Sequence, residues 1–167
     1  MTVTVNARWV RTVAVLAGVA AATAGIAGPN ALAAKSHRFA GTYTGQGHGQ
    51  VSGTTASGSG TARGRGSGIG ASTLNGSARG VFTSRTCVVF DGTGVLKGAN
   101  GSIRLAAHGA RACAGGSNAD VVSFSGSARV TGGTSTFAHA HGTLSFTGTY
   151  TRRSGGLTIS FRGSLTY

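Results

Sequence analysis

Acidic side chains are almost missing from this sequence. Its 167 residues hold two, Asp91 and Asp120, and no glutamate. Asp91 belongs to the turn signal Asp91-Gly92, and Asp120 stands where a strand begins. Chemistry built on paired carboxylates, or on an acid that orients a histidine, therefore has little to draw on. Asp91 and Asp120 are the catalytic candidates by default, and neither matches a catalytic motif. Cysteine is scarce too, with Cys87 and Cys113 alone. Two lone thiols make a poor metal site. Beyond residue 34 no stretch repeats its apolar residues with a 3.6-residue period, which argues against a helical architecture. No cofactor motif is present.

What remains is basic. Fifteen Lys and Arg oppose the two acids. Two of the fifteen, Arg8 and Arg11, lie in a leader-like stretch. They form a basic n-region, Val13 to Ile26 carries no charge, and Pro29-Asn30 breaks the run. Ala31-Leu32-Ala33 then fits an A-x-A cleavage signal. Residues 1–33 read as a secretory signal peptide. The alternative is a membrane anchor, but the run is short for a bilayer span and rich in Ala and Gly. Trp9 and Val10 separate the arginines, so the signal is not of the twin-arginine kind.

Residues 34–167 are then one domain, of a length that supports one core. Without Arg8 and Arg11, thirteen basic residues stand against two acids, a net charge of +11. Such an excess attracts polyanions, and anionic cell-envelope polymers or anionic lipids are the expected partners. The segment Gly60-Thr-Ala-Arg-Gly-Arg-Gly-Ser looks like an Arg-Gly nucleic-acid tract but has no stacking aromatic. An exported chain also meets little nucleic acid, so a solvated basic strand face is the better reading. The expected location is extracellular or on the cell envelope. In that oxidising setting Cys87 and Cys113 should join in a disulfide.

The organising pattern is a period of two. Leu157, Ile159, Phe161, Leu165 and Tyr167 share a face, opposed by Thr158, Ser160, Arg162, Ser164 and Thr166. That is a strand with one dry side. Leu144, Phe146 and Tyr150 repeat the alternation, and Val122, Phe124, Ala128 and Val130 begin it. The link 151–156 ends in paired glycines suited to a hairpin. Earlier strands are read at 34–45, 80–90 and 102–108, with Cys113 in a loop over 109–118. From 46 to 80 apolar signal nearly vanishes. Two readings fit: a disordered linker, or two or three strands with small residues inward. The parity shared by Gly58, Gly60, Gly64, Gly66 and Gly68 favours strands, with Arg63 and Arg65 facing solvent. Seven to nine strands with regular turn signals predict an all-β barrel or sandwich.

The segment Gly132-Gly133-Thr134-Ser135-Thr136-Phe137-Ala138-His139-Ala140-His141-Gly142 resembles the G-G-T-G-x-F-x-x-A-x-G segment of the dirigent and allene oxide cyclase barrel-like superfamily. Ser135 stands where that family usually has Gly. The resemblance covers about 45 residues, from Asp120 onward. It implies a small antiparallel barrel of eight strands with a cavity, and a trimer. It also implies a cyclase or isomerase activity on a hydrophobic oxygenated molecule, although the sites of that family lean on buried carboxylates. On this reading Gly132-Gly133 form a tight turn and Phe137 drops into the barrel mouth.

Two further constellations carry weight. His139 and His141 would share a face in a strand, where imidazoles can chelate a metal. With no carboxylate or cysteine beside them in sequence, surface residues next to a turn are the plainer reading. Phe137, Phe146, Tyr150 and Phe161 are the expected lining of a barrel lumen that takes a small hydrophobic ligand. The sequence thus predicts a secreted basic barrel that binds rather than catalyses. Its alternatives are a cyclase or isomerase and an outer-membrane barrel, which would need an apolar lipid-facing band.

Overall fold

The structure, a computed structural model, describes residues 35–115 and 118–167, without the side chains of 118 and 119. The signal-peptide reading of 1–33 lies outside the described residues. Eight strands follow in order: β1 (Ser36–Ser52), β2 (Thr55–Gly66), β3 (Gly70–Phe82), β4 (Cys87–Gly98), β5 (Gly101–Gly115), β6 (Asn118–Ser135), β7 (His141–Thr151) and β8 (Gly156–Thr166). Each pairs antiparallel with the next, and β8 pairs with β1, so the sheet closes into a barrel. Closure leaves no strand edge unpaired.

The segment 46–80 is strand, not linker. Arg63 and Arg65 face out, opposite Thr44 and Thr42 of β1. Low hydrophobicity is compatible with order here because both neighbours of each strand supply backbone hydrogen bonds. The glycines Gly58, Gly60, Gly64 and Gly66 keep one inward parity along β2. Gly68 departs from it, in the β2–β3 turn with φ 78°.

Three local expectations are corrected. Asp91-Gly92 is not a turn but lies inside β4, where the pairing with β5 shifts register between Phe90 and Gly92. Cys113 is not in a loop but inside β5, directly opposite Cys87. Gly132-Gly133 do not make the tight turn. They lie in β6, Gly132 with φ 119° beside a register shift, and the turn comes at 136–140. In the first and third cases a turn-forming residue type has been used to bend a long strand rather than to end it.

The core gathers at one end of the barrel, where the β2–β3, β4–β5 and β6–β7 turns lie. Phe39, Tyr43, Ile69, Leu96, Ile103 and Leu165 are buried there, with Phe137 inserted from the β6–β7 turn. Phe137 packs edge-on against Tyr167 with ring centroids 4.9 Å apart. The Tyr43 hydroxyl and the Ser72 hydroxyl are 3.0 Å apart, and Ser72 donates to the Gly70 carbonyl. The one polar pair in this plug is therefore satisfied. Burial pushes the Tyr43 phenol pKa up, partly offset by the Ser72 bond. Phe137 does not drop into the barrel mouth, because its turn stands at the opposite end.

Candidate ligand-binding site

Inward positions change character along each strand. On β1 they run Phe39, Tyr43, then Gly47 and Gly49. On β3 they run Ser72, Leu74, then Gly76, Ala78 and Gly80. Toward the β1–β2, β3–β4, β5–β6 and β7–β8 connections the inner wall on β1 to β3 thins largely to glycine and alanine, while β4 keeps Val88 and Phe90 there. The other strands supply larger groups there, including Phe124, Phe146, Tyr150, Leu157 and Ile159. The result is a cup of about 640 Å³, open at that end and floored by Leu74, Leu105 and Phe161. This volume falls within the roughly 300–1,000 Å³ of small-molecule sites.

Two glycines of the thin wall, Gly58 and Gly76, face the open cup, whereas Gly60 and Gly80 are packed against Leu157 and Phe90. A Cβ at Gly58 or Gly76 would meet backbone of the neighbouring strand, with closest approaches of 3.2 Å to the His48 and Thr93 carbonyl oxygens, and no side chain within 4 Å. Tyr150 leans across the cup toward β1, where a Cβ on Gly49 would lie 3.7 Å from its hydroxyl. Phe146 sits between Phe124, Phe90 and Phe161, with ring centroids 6.1–6.5 Å away. These tilted contacts give one side of the cup an aromatic surface.

The rim is basic. Arg85, in the β3–β4 connection, and Arg152, in the β7–β8 connection, both border the cavity. Four strand intervals separate these connections either way round the ring, so the two arginines approach from opposite sides of the mouth. The Cys87–Cys113 disulfide lies on the outer surface nearby, with Cα atoms 4.1 Å apart. Thr83 and Ser84 donate backbone N–H groups to the Cys87 carbonyl, and Ala114 donates to Thr86. The cross-link and these bonds fix the connection that carries Arg85.

Of the residues expected in the lumen, Phe146, Tyr150 and Phe161 line the cup and Phe137 lies in the plug beyond its floor. Neither aspartate reaches the lumen. Asp91 is on the outer face, where its carboxylate accepts the Gly109 N–H at 2.8 Å and stands 3.4 Å from His108 Nδ1. Gly109 has φ 63° in the irregular part of β5, so Asp91 satisfies the backbone of a bulge. The Gly109 bond and the His108 contact together lower the Asp91 pKa. Asp120 is at the rim, 3.2 Å from Arg153.

His139 lies in the β6–β7 turn and His141 starts β7, so they do not share a strand face. The His141 ring instead contacts the His139 carbonyl through Nδ1 at 3.1 Å. Among the described residues no three His, Cys, Asp or Glu side chains gather where a metal ion could bind.

Sequence reasoning placed small residues inward over 46–80 but missed that they hollow only one half of the lumen. The signal for this was present in the drop from Phe39 and Tyr43 to Gly47 and Gly49 within one strand. No family model matches the chain, and neither a curated protein nor a solved structure matches it.

Proposed function

We propose that this chain is a secreted, non-catalytic binding protein that holds a small hydrophobic molecule in the open half of its barrel. The observation that carries this reading is the cup: an apolar cavity of about 640 Å³ whose thin wall of glycine leaves room for a guest. Burial of an apolar guest against Phe146, Tyr150 and Phe161 would supply the affinity, at about 25 cal/mol per Å² removed from water.

The cyclase or isomerase alternative has less support. A proton-transfer step needs a titrating group against the substrate. Asp91 is engaged outside the barrel with Gly109 and His108, and Asp120 meets Arg153 at the rim. The outer-membrane alternative is disfavoured by the outward side chains, which are largely Ser, Thr and Arg. Lipid requires an apolar band there.

The test uses an environment-sensitive fluorescent acyl probe with native mass spectrometry of the mature protein. One probe should bind per barrel, and Gly76→Leu, which fills the cup from its thin wall, should abolish uptake while leaving the circular-dichroism spectrum unchanged. No uptake by the wild type, or equal uptake by a folded Gly76→Leu variant, would overturn the reading.

A further inference from the structure

The outer surface is not uniform. Across β6, β7, β8 and β1 the register aligns hydroxyl side chains into two rows. One row is Ser123, Thr149, Thr158 and Thr44; the other is Ser125, Thr147, Ser160 and Thr42. Arginine bounds both. Thr44 and Thr42 pair with Arg63 and Arg65 on β2, and Ser125 pairs with Arg111 on β5. These arginines are exposed, and no acid stands in either row. The surface dips here into a concavity of about 600 Å³ over Gly148, bordered by Arg111 and hydroxyls of both rows.

Folding does not account for this arrangement. Thr42 and Ser160 hydroxyls are 2.9 Å apart and bond to each other. Their neighbours Ser123, Ser125, Thr147 and Thr149 make no side-chain hydrogen bond within the described chain. The opposite outer face is different. It carries exposed Val81 and Val95 and the Asp91–His108 pair.

We infer that these two rows and their flanking arginines form a docking track for a linear polymer of phosphodiester-linked units. Guanidinium groups bind phosphate oxygens through two parallel N–H donors, and hydroxyls donate to the same oxygens or accept from polymer hydroxyls. With strands about 4.8 Å apart, Arg111 and Arg65 end a row roughly 24 Å long around the barrel. A flexible chain can follow that curve, whereas a planar bilayer touches little of it. The rows carry no aromatic side chain, so single-stranded nucleic acid would find no stacking platform. This inference is independent of the cup, which opens at the end of the barrel.

The experiment titrates poly(glycerol phosphate) into the mature protein and follows backbone amide NMR shifts and affinity. Dextran, anionic phospholipid vesicles and an oligonucleotide serve as comparison ligands. Two charge-matched variants are compared, Arg63→Gln with Arg65→Gln on the track and Lys97→Gln with Arg104→Gln on the other face. A third, Thr147→Val, removes a hydroxyl with little change of shape.

The track double variant should weaken binding by about tenfold or more, the scale of a lost charge-assisted contact. The control pair should change it far less, and Thr147→Val should weaken it while all variants keep the wild-type melting temperature and acyl-probe uptake. Shifts should cluster on β6 to β2, and binding should fade as salt rises. Equal loss in both charge-matched variants, wild-type binding by Thr147→Val, tighter binding of vesicles or oligonucleotide, or no binding at low salt would each overturn the proposal.

Discussion

The two halves of the lumen are built by the same eight strands with the same alternation, yet one is solid and the other hollow. In the solid half glycine serves packing. A Cβ at Gly66 would lie 2.8 Å from both the Phe39 ring and the Tyr43 hydroxyl, and one at Gly64 would run into the Thr42 carbonyl. In the hollow half Gly58 and Gly76 face no side chain. The same residue type thus has opposite meanings some ten residues apart. Its role depends on what the neighbouring strand sets beside it, not on its own conformational freedom.

Substituting the two kinds of glycine is the sharpest way to break the comparison. Gly64→Val should yield no cooperatively folded barrel, because the Cβ meets backbone and the Tyr43 ring 2.8 Å away. Gly76→Val should fold with stability within about 1 kcal/mol of wild type, since glycine in a strand already carries an entropic penalty. Thermal melts of both decide it. If the two variants behave alike, the halves do not differ as described.

Removal of the plug comes next. Phe137→Ala should cost about 3–5 kcal/mol, the range for deleting a buried aromatic. Phe137 is only 1% exposed and stacks edge-on with Tyr167. Urea denaturation measures the loss. Acyl-probe uptake, which belongs to the other half, should survive under conditions where the variant remains folded.

The disulfide should matter somewhat less. Cys87→Ser together with Cys113→Ser removes a cross-link spanning 26 residues. Loop-closure entropy puts the cost at about 3.5 kcal/mol. Its effect should concentrate at the mouth, where amide exchange of residues 83–86 should accelerate more than that of the plug.

The smallest effect concerns Asp91. Its pKa is lowered, so its contribution is present above the unfolded carboxylate range and is lost as pH falls through the folded value. Asp91→Asn keeps an acceptor for Gly109 but drops the charge. The variant should melt slightly below wild type at neutral pH. The gap should close as the pH drops below about 4. A gap that persists in acid would mean that geometry, not ionisation, is what Asp91 supplies.

Much of this was legible from residue parity. The strands 144–150 and 157–167 announce themselves because large apolar and hydroxyl side chains alternate without interruption. The strands over 46–80 were readable only through alternate glycines, since apolar mass there is small. Turn dipeptides misled. Asp91-Gly92 and Gly132-Gly133 sit inside long strands, where the pairing partner decides whether a flexible residue bends the chain or reverses it. The position of Phe137 was not legible, because alternation tells inside from outside but not one end of a barrel from the other. Nor could sequence spacing show that Asp91 meets His108, 17 residues away, since that contact depends on the β4–β5 register.

The closure of β1 on β8 has a kinetic consequence. The Thr42–Ser160 bond joins residues 118 positions apart, and the β1–β8 ladder has register pairs from Ser36–Thr166 to Gln46–Gly156. Contacts of such long range are slow to form because the intervening chain must be ordered first. Until β8 arrives, β1 and β7 each present an unpaired edge to the surroundings. The glycine and serine that dilute β1 and β2 lower the stickiness of that waiting edge. The residues that hollow the finished cup therefore also protect the unfinished barrel from its own kind.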